Sequence, residues 1–182
     1  GYSGGFFLMA ETETTEALYN SVNGTVSTSQ LPISDIRISN IMSFIEKLNN
    51  ETKLNFTLPT SNQWQYAAKG GNKTQDYTYA GSNTPGDVAW YSANCSSKQT
   101  VKTKAPNELG IYDMSGNVGE FVSNKNSGYN YVMGGCYKSA SNYITKTSET
   151  YAYYNEWGTA GYNSNYSYSD IGAGFRLILT CE

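Results

Sequence analysis

The chain has 182 residues, enough for one domain that buries most of its apolar surface without covalent staples. Its formal charge is -3 and its only arginines are Arg37 and Arg176, which argues against a surface that tracks nucleic-acid phosphates. Histidine is absent, so Ser-His-Asp and Cys-His mechanisms are excluded and the commonest metal ligand is missing.

In chain order, a short apolar run from Phe6 to Met9 leads into Glu11-Thr12-Glu13-Thr14-Thr15-Glu16-Ala17-Leu18-Tyr19, where threonine can cap a short helix that closes near Gly24. Ile41, Phe44, Ile45 and Leu48 recur at helical spacing after Ser39 and predict a second helix with one packed face, stopping at Asn49-Asn50. Thr60 and Gln63 form a capping-box pair before Trp64 and Ala67-Ala68, and Gly70 suits the left-handed residue beyond the last turn. Trp64 is expected in the core. From Asn72 to Asn107 the chain is polar and irregular, with turns expected at Pro85-Gly86 and Pro106-Asn107. Around a further turn at Ser115-Gly116-Asn117, the residues Ile111, Met114, Val118 and Phe121 are candidate core contacts.

The last third has a different composition. Ten of the seventeen tyrosines fall between Gly128 and Tyr168, among asparagine and serine and with few aliphatic side chains. Such a passage cannot form a core, because each tyrosine hydroxyl wants water or a partner and asparagine and serine bury little apolar area. It is bounded by Gly134-Gly135, where close backbone approach is expected, and by Gly174-Phe175-Arg176-Leu177, the start of an apolar run suited to a buried strand. Cys95, Cys136 and Cys181 are widely spaced and allow at most one bridge. No run of the sequence reaches transmembrane length.

Four groups of residues occur in a characteristic order. They are Leu58-Pro59-Thr60 with Trp64 and Tyr66-Ala67-Ala68 through Gly70-Gly71; Gly110-Ile111-Tyr112-Asp113-Met114-Ser115-Gly116-Asn117-Val118 with Glu120; Gly134-Gly135; and Gly174-Phe175-Arg176-Leu177. Together they resemble the formylglycine-generating-enzyme (sulfatase-modifying factor) family, and Glu13-Thr14-Thr15 is similar to the family's early Glu-Val-Thr segment. The resemblance implies an α+β, C-type-lectin-like fold over residues 1–182, with two main helices, small antiparallel sheets and many irregular loops. Enzymes of this family oxidise a substrate cysteine to formylglycine, with copper held by two cysteines five apart after the Gly-Gly motif. Counting on from Gly134-Gly135 puts those positions at Ser139 and Ile144, and neither side chain supplies the thiolate that copper(I) needs. Cys136 has no second cysteine near it in sequence, and a lone cysteine beside a glycine pair reads as a packed side chain. No catalytic residue and no cofactor is therefore assigned; a divergent copper oxidase using Cys136 stands as the alternative.

Residues 134–177 also resemble the variable proteins of diversity-generating retroelements, in which Gly-Gly, a segment of substitutable positions and Gly-Phe-Arg follow one another. That resemblance implies a non-catalytic binding protein whose substitutable positions carry Tyr, Asn, Ser and Ala. The matching residues are Tyr137, Ser139, Ser141, Asn142, Tyr143, Tyr151, Tyr153, Tyr154, Asn155, Tyr162, Asn163, Asn165, Tyr166 and Tyr168, with Trp157 as a central anchor. Their chemistry agrees with binding independently of any family, since tyrosine gives rigid contact area at low entropic cost while serine and asparagine give adaptable hydrogen bonds. The expected partner is a protein or cell-surface ligand, met outside the cell by a bacterial surface protein or a phage virion. A structural or accessory domain of such a protein is the remaining alternative. Asp113, Asn117 and Glu120 admit two readings, as calcium ligands of the kind the family holds, or as turn-fixing groups with Glu120 paired to Arg176; the second is preferred, and no metal is assigned.

Overall fold

The computed structural model describes residues 6–123, 130–147, 149–154, 160–161 and 172–180. The first helix, α1 (Glu16–Val22), is capped by Thr15, whose hydroxyl accepts from the Leu18 N–H at 3.2 Å, and the chain turns at Gly24 with φ of 80°. The predicted face of α2 (Ile38–Thr52) is buried at Ile41, Phe44, Ile45 and Leu48. The helix starts before Ser39 and does not stop at Asn49-Asn50; it runs on to Thr52 and ends at the left-handed Lys53. Asn49 stays helical because its amide is engaged elsewhere. It donates to the Phe56 carbonyl at 3.0 Å and accepts from the Phe56 N–H at 2.8 Å, so one side chain satisfies both backbone groups of the next strand. Asn49→Ala is expected to cost about 1–3 kcal/mol, read as a lowered urea midpoint, because two half-buried backbone groups lose their partner.

Helix α3 (Ser61–Ala68) has the full capping box of Thr60 and Gln63, and Gly70 follows it with φ of 84°. Pro85-Gly86 opens a single helical turn, α4 (Pro85–Val88), where a turn alone was expected. Proline suits the first helical position because its missing N–H would have had no partner there.

Among the described residues, eight strands build two small sheets. In the first, β1 (Phe7–Met9) and β2 (Phe56–Thr57) flank β8 (Ile178–Thr180) antiparallel. The second comprises β3 (Gly119–Val122), β4 (Asn130–Met133), β5 (Glu149–Tyr154), β6 (Ala160–Gly161) and β7 (Ala173–Phe175), in the order β6-β5-β4-β3-β7. Its β3–β7 pairing is parallel and the others are antiparallel. The apolar run after Gly174 is not one strand. Phe175 ends β7 in the second sheet and Ile178 begins β8 in the first, and the break falls where the Arg176 side chain turns inward to its partners.

The largest core cluster joins α2 to Phe121, Val132 and Phe175, with Phe44 edge-on to Phe175 and stacked on Tyr19. A second surrounds Trp64 with Met114, Val122 and Met133, and a third joins Ile144 to Tyr79, Val88 and Ala89. Ile111, Met114, Val118 and Phe121 are all buried, as their placement about the 115–117 turn predicted.

Candidate recognition surface and its buried support

A buried polar network centres on Glu120 and Arg176. Glu120 accepts from Arg176 Nε at 3.1 and 3.0 Å and from Nη2 at 2.7 Å, and its Oε2 also accepts from Trp64 Nε1 at 2.6 Å. The remaining guanidinium donors reach the Ala10 and Tyr112 carbonyls at 2.9 and 2.7 Å. Glu120 is thus committed to Arg176, as the preferred reading of the sequence had it. Asp113 and Asn117 do bond backbone, both at positive φ, but across to a neighbouring loop rather than within their own turn. Asp113 Oδ2 accepts from Lys102 N at 2.8 Å and Asn117 Oδ1 from Gln99 N at 2.9 Å.

Glu13 completes the network. Its two oxygens accept from the Val118 N–H and the Asn117 side-chain amide, each at 2.8 Å. Burial, with the nearby Asp113 and Glu120 charges adding to it, holds the Glu13 carboxyl well above its ordinary range. Burial likewise raises Asp113, whose second oxygen, Oδ1, is buried with no hydrogen-bond partner. In the sequence the family resemblance marked Glu13 as the start of a Glu-Val-Thr-like segment, but no local pattern separated it from the exposed Glu11 two residues before.

On this base Gly134 and Gly135 take φ of 83° and 67°, and a side chain on Gly135 would collide with the Tyr143 carbonyl oxygen. The chain then makes a close loop. Tyr137 N donates to Asn117 O at 2.8 Å, Cys136 N to Ser139 Oγ at 3.0 Å, Ser139 N to Cys136 O at 2.9 Å, and a 3-10 turn covers Ser141–Tyr143. Two scaffold loops brace it, through Ser92 N to Ser139 O at 3.1 Å and Lys146 N to Thr78 O at 3.2 Å. Tyr143 is 62% exposed and Asn142 is exposed, whereas Tyr137, Ser139 and Ser141 are half-buried. The Ser139 hydroxyl is already engaged internally, and Lys138 Nζ stands 5.4 Å from the Tyr137 ring centre. Tyr151, Tyr153 and Tyr154 lie on β5, whose backbone pairs Tyr151 with Tyr131 and Tyr153 with Gly161. Asn155, Trp157, Tyr162, Asn163, Asn165, Tyr166 and Tyr168 lie outside the described residues.

The sulfatase-modifying factor enzyme 1-like domain matches residues 7–180. The chain belongs to that family. Chaperone protein LppX of Paenibacillus barcinonensis is 43% identical over 90 residues, which cover 40% of this chain and 32% of that protein; the chain therefore spans about a third of the length of that curated relative. Among solved structures, Treponema denticola variable protein 1 superposes with a TM-score of 0.77 at 21% identity, over 96% of this chain and 84% of its own. CarF does so with a TM-score of 0.76 at 22% identity, over 97% and 87%, and PvdO from Pseudomonas aeruginosa with 0.64 at 14%, over 85% and 64%. At these identities the superpositions establish the fold, which is the α+β, C-type-lectin-like architecture that the sequence motifs implied.

Membership of the sulfatase-modifying family raises the question of copper, and the donor set does not fit it. Ser139 bears a hydroxyl bonded to Cys136 N, and Ile144 is an apolar residue fully buried in the third cluster. No cysteine stands near Cys136 in sequence, but one does in the fold. The loop carrying Cys95 folds against the 136–139 segment through Ser92, close enough for Cys136 to add to the upward push that burial exerts on the Cys95 thiol. Both thiols are free, and a raised thiol is a poorer source of the thiolate that copper(I) requires. Cys181 lies outside the described residues.

Proposed function

We propose that this member of the family is a non-catalytic binding protein, whose Tyr/Asn/Ser-rich segment between Tyr137 and Tyr168 recognises a protein or cell-surface ligand outside the cell. The observation that carries this reading is the division of labour around Gly134-Gly135. The residues below it are buried and fixed by charged hydrogen bonds, while Asn142 and Tyr143 immediately above it are exposed on a braced loop. Exposed side chains such as Asn142 and Tyr143 tolerate substitution, and the composition of the segment is that of an adaptable paratope. The fold shared with a protein named for its variability supports the same reading, as does a pair of copper positions filled by Ser139 and Ile144.

Diversification by a retroelement is the sharper form of the proposal, and flanking DNA tests it. A near-copy of the coding segment is expected beside a reverse transcriptase gene, differing at template adenines in the codons for positions such as Tyr137, Asn142, Tyr143, Tyr151, Tyr153 and Tyr154. Absence of such a copy removes the retroelement and leaves a generic binding surface. Cys136→Ser tests the competing oxidase directly: copper-dependent oxygen consumption with a cysteine peptide, abolished by that change, would overturn the non-catalytic reading.

A further inference from the structure

The loop that follows Gly134-Gly135 closes on itself. Gly135 at its start lies against Tyr143 and Ile144 at its end, and a side chain at 135 would stand 2.8 Å from Ile144 Cγ2. Between these ends Lys138, Ala140, Asn142 and Tyr143 are exposed. From 137 to 147 one residue is buried, and that is Ile144, fully withdrawn from solvent. It packs with Tyr79, Val88, Ala89 and Tyr91. The residues beside two of these supply the backbone braces, Thr78 O accepting from Lys146 N and Ser92 N donating to Ser139 O. The two scaffold loops that hold this loop by hydrogen bonds therefore also enclose its buried apolar side chain. Thr78 and Ser92 are exposed, and hydrogen bonds at exposed positions exchange with water at little net cost. Burial of an isoleucine has no such substitute in water.

We propose that Ile144 is the positioning residue of the recognition surface, an apolar anchor that fixes this loop in the shape its ligand meets. The inference rests on the reading of the loop as part of a binding surface. A loop held by exchangeable bonds alone would be ordered only when the ligand arrives, and that entropic cost subtracts from affinity. An anchored loop is ordered on folding, so binding does not bear the cost. The anchor also divides the substitutable segment into positions that vary and positions that do not. A polar residue at 144 would bury a group without a partner, whereas the exposed Asn142 and Tyr143 lie outside the packed cluster and can change without disturbing it. Gly135 belongs to the same device, because a residue without Cβ lets Tyr143 and Ile144 close over the start of the loop.

Native-state hydrogen exchange over a series of low urea concentrations tests the anchor on the 182-residue chain with no ligand present. The probes are the hydrogen-bonded amides of Ser139, Tyr143 and Lys146, and the references are the amides of Phe44 and Ile45 within α2. In wild type the loop amides are expected to be protected. Ile144→Ala is expected to speed their exchange at least about thirtyfold and Ile144→Val less than about tenfold. In both variants the loop should open with little dependence on urea, while the α2 amides exchange through the strongly urea-dependent opening of the whole domain. Should Ile144→Ala fail to fold, the same contrast in Ile144→Val decides the matter. Unprotected loop amides in wild type overturn the proposal, as does an exchange rate that Ile144→Ala leaves unchanged. Loop amides with the urea dependence of α2 also overturn it, because Ile144 would then support the core as a whole. Any of these results removes the anchor and leaves the binding reading of the segment standing.

Discussion

Arg176→Leu is expected to destabilise the domain by about 3–5 kcal/mol, the range found when one partner of a buried ion pair is removed. The guanidinium is fully buried. Its loss leaves the Glu120 charge, among the described residues, with the Trp64 indole N–H, and takes from the Ala10 and Tyr112 carbonyls their guanidinium donor. Those carbonyls belong to the approach to α1 and to the Asp113 turn, which Arg176 ties together alongside the Glu13 bonds to Asn117 and Val118 and the Tyr112 N to Glu11 O bond. Urea unfolding followed by tryptophan fluorescence gives the measurement, with Trp64 placed to report on the site. The double variant Arg176→Met with Glu120→Gln is expected to recover part of the loss, because a neutral amide still accepts from Trp64 and no unpaired charge remains. An Arg176→Leu variant within about 1 kcal/mol of wild type would show that the pair contributes little to stability.

Much of the fold was readable because its signals are local. The capping box at Thr60 and Gln63, the apolar spacing of α2 and the left-handed position of Gly70 each rest on residues within a turn of one another. The motif order then supplied the fold that local signals alone do not determine. What the sequence did not disclose depends on partners far along the chain. Asn49 looks like a helix stop until Phe56 is seen to use both ends of its amide, and Glu13 looks like a surface residue until Asn117, 104 positions on, is found beside it. The run after Gly174 has the composition of one strand, yet Arg176 must face Glu120, and that requirement divides it between two sheets. The candidate site was readable to a similar extent. Counting from the glycine pair located Ser139 and Ile144, and composition marked Asn142 and Tyr143, both of which are exposed. That Ser139 turns its hydroxyl inward, and that the Cys95 loop comes up against Cys136, follow from tertiary contacts with no sequence signature.

Glu13→Gln is expected to flatten the dependence of stability on pH. In the native state burial, reinforced by Asp113 and Glu120, raises the Glu13 carboxyl above its ordinary value, and burial raises Asp113 in the same direction. A carboxyl with a raised native pKa binds its proton more tightly folded than unfolded. Its contribution to stability is therefore full below the ordinary carboxylate range and declines as pH rises through the native pKa. The wild-type urea midpoint should accordingly fall as pH rises above the ordinary carboxylate range. Glu16 acts with the opposite sign and in a different window. Bonds from Lys98 and Ser29 outweigh the upward push of burial and hold it low, so its contribution is lost only as pH falls below the ordinary range. In Glu13→Gln the Asp113 slope remains and the Glu13 slope disappears. The amide has one acceptor for two N–H donors, from Val118 and Asn117, so the variant should be less stable than wild type by about 1–3 kcal/mol at the acid end. The two profiles should converge toward alkaline pH, where the wild type holds a buried charge and the variant does not. Parallel profiles across the whole range would show that the Glu13 carboxyl binds its proton equally well folded and unfolded, which contradicts a raised native pKa.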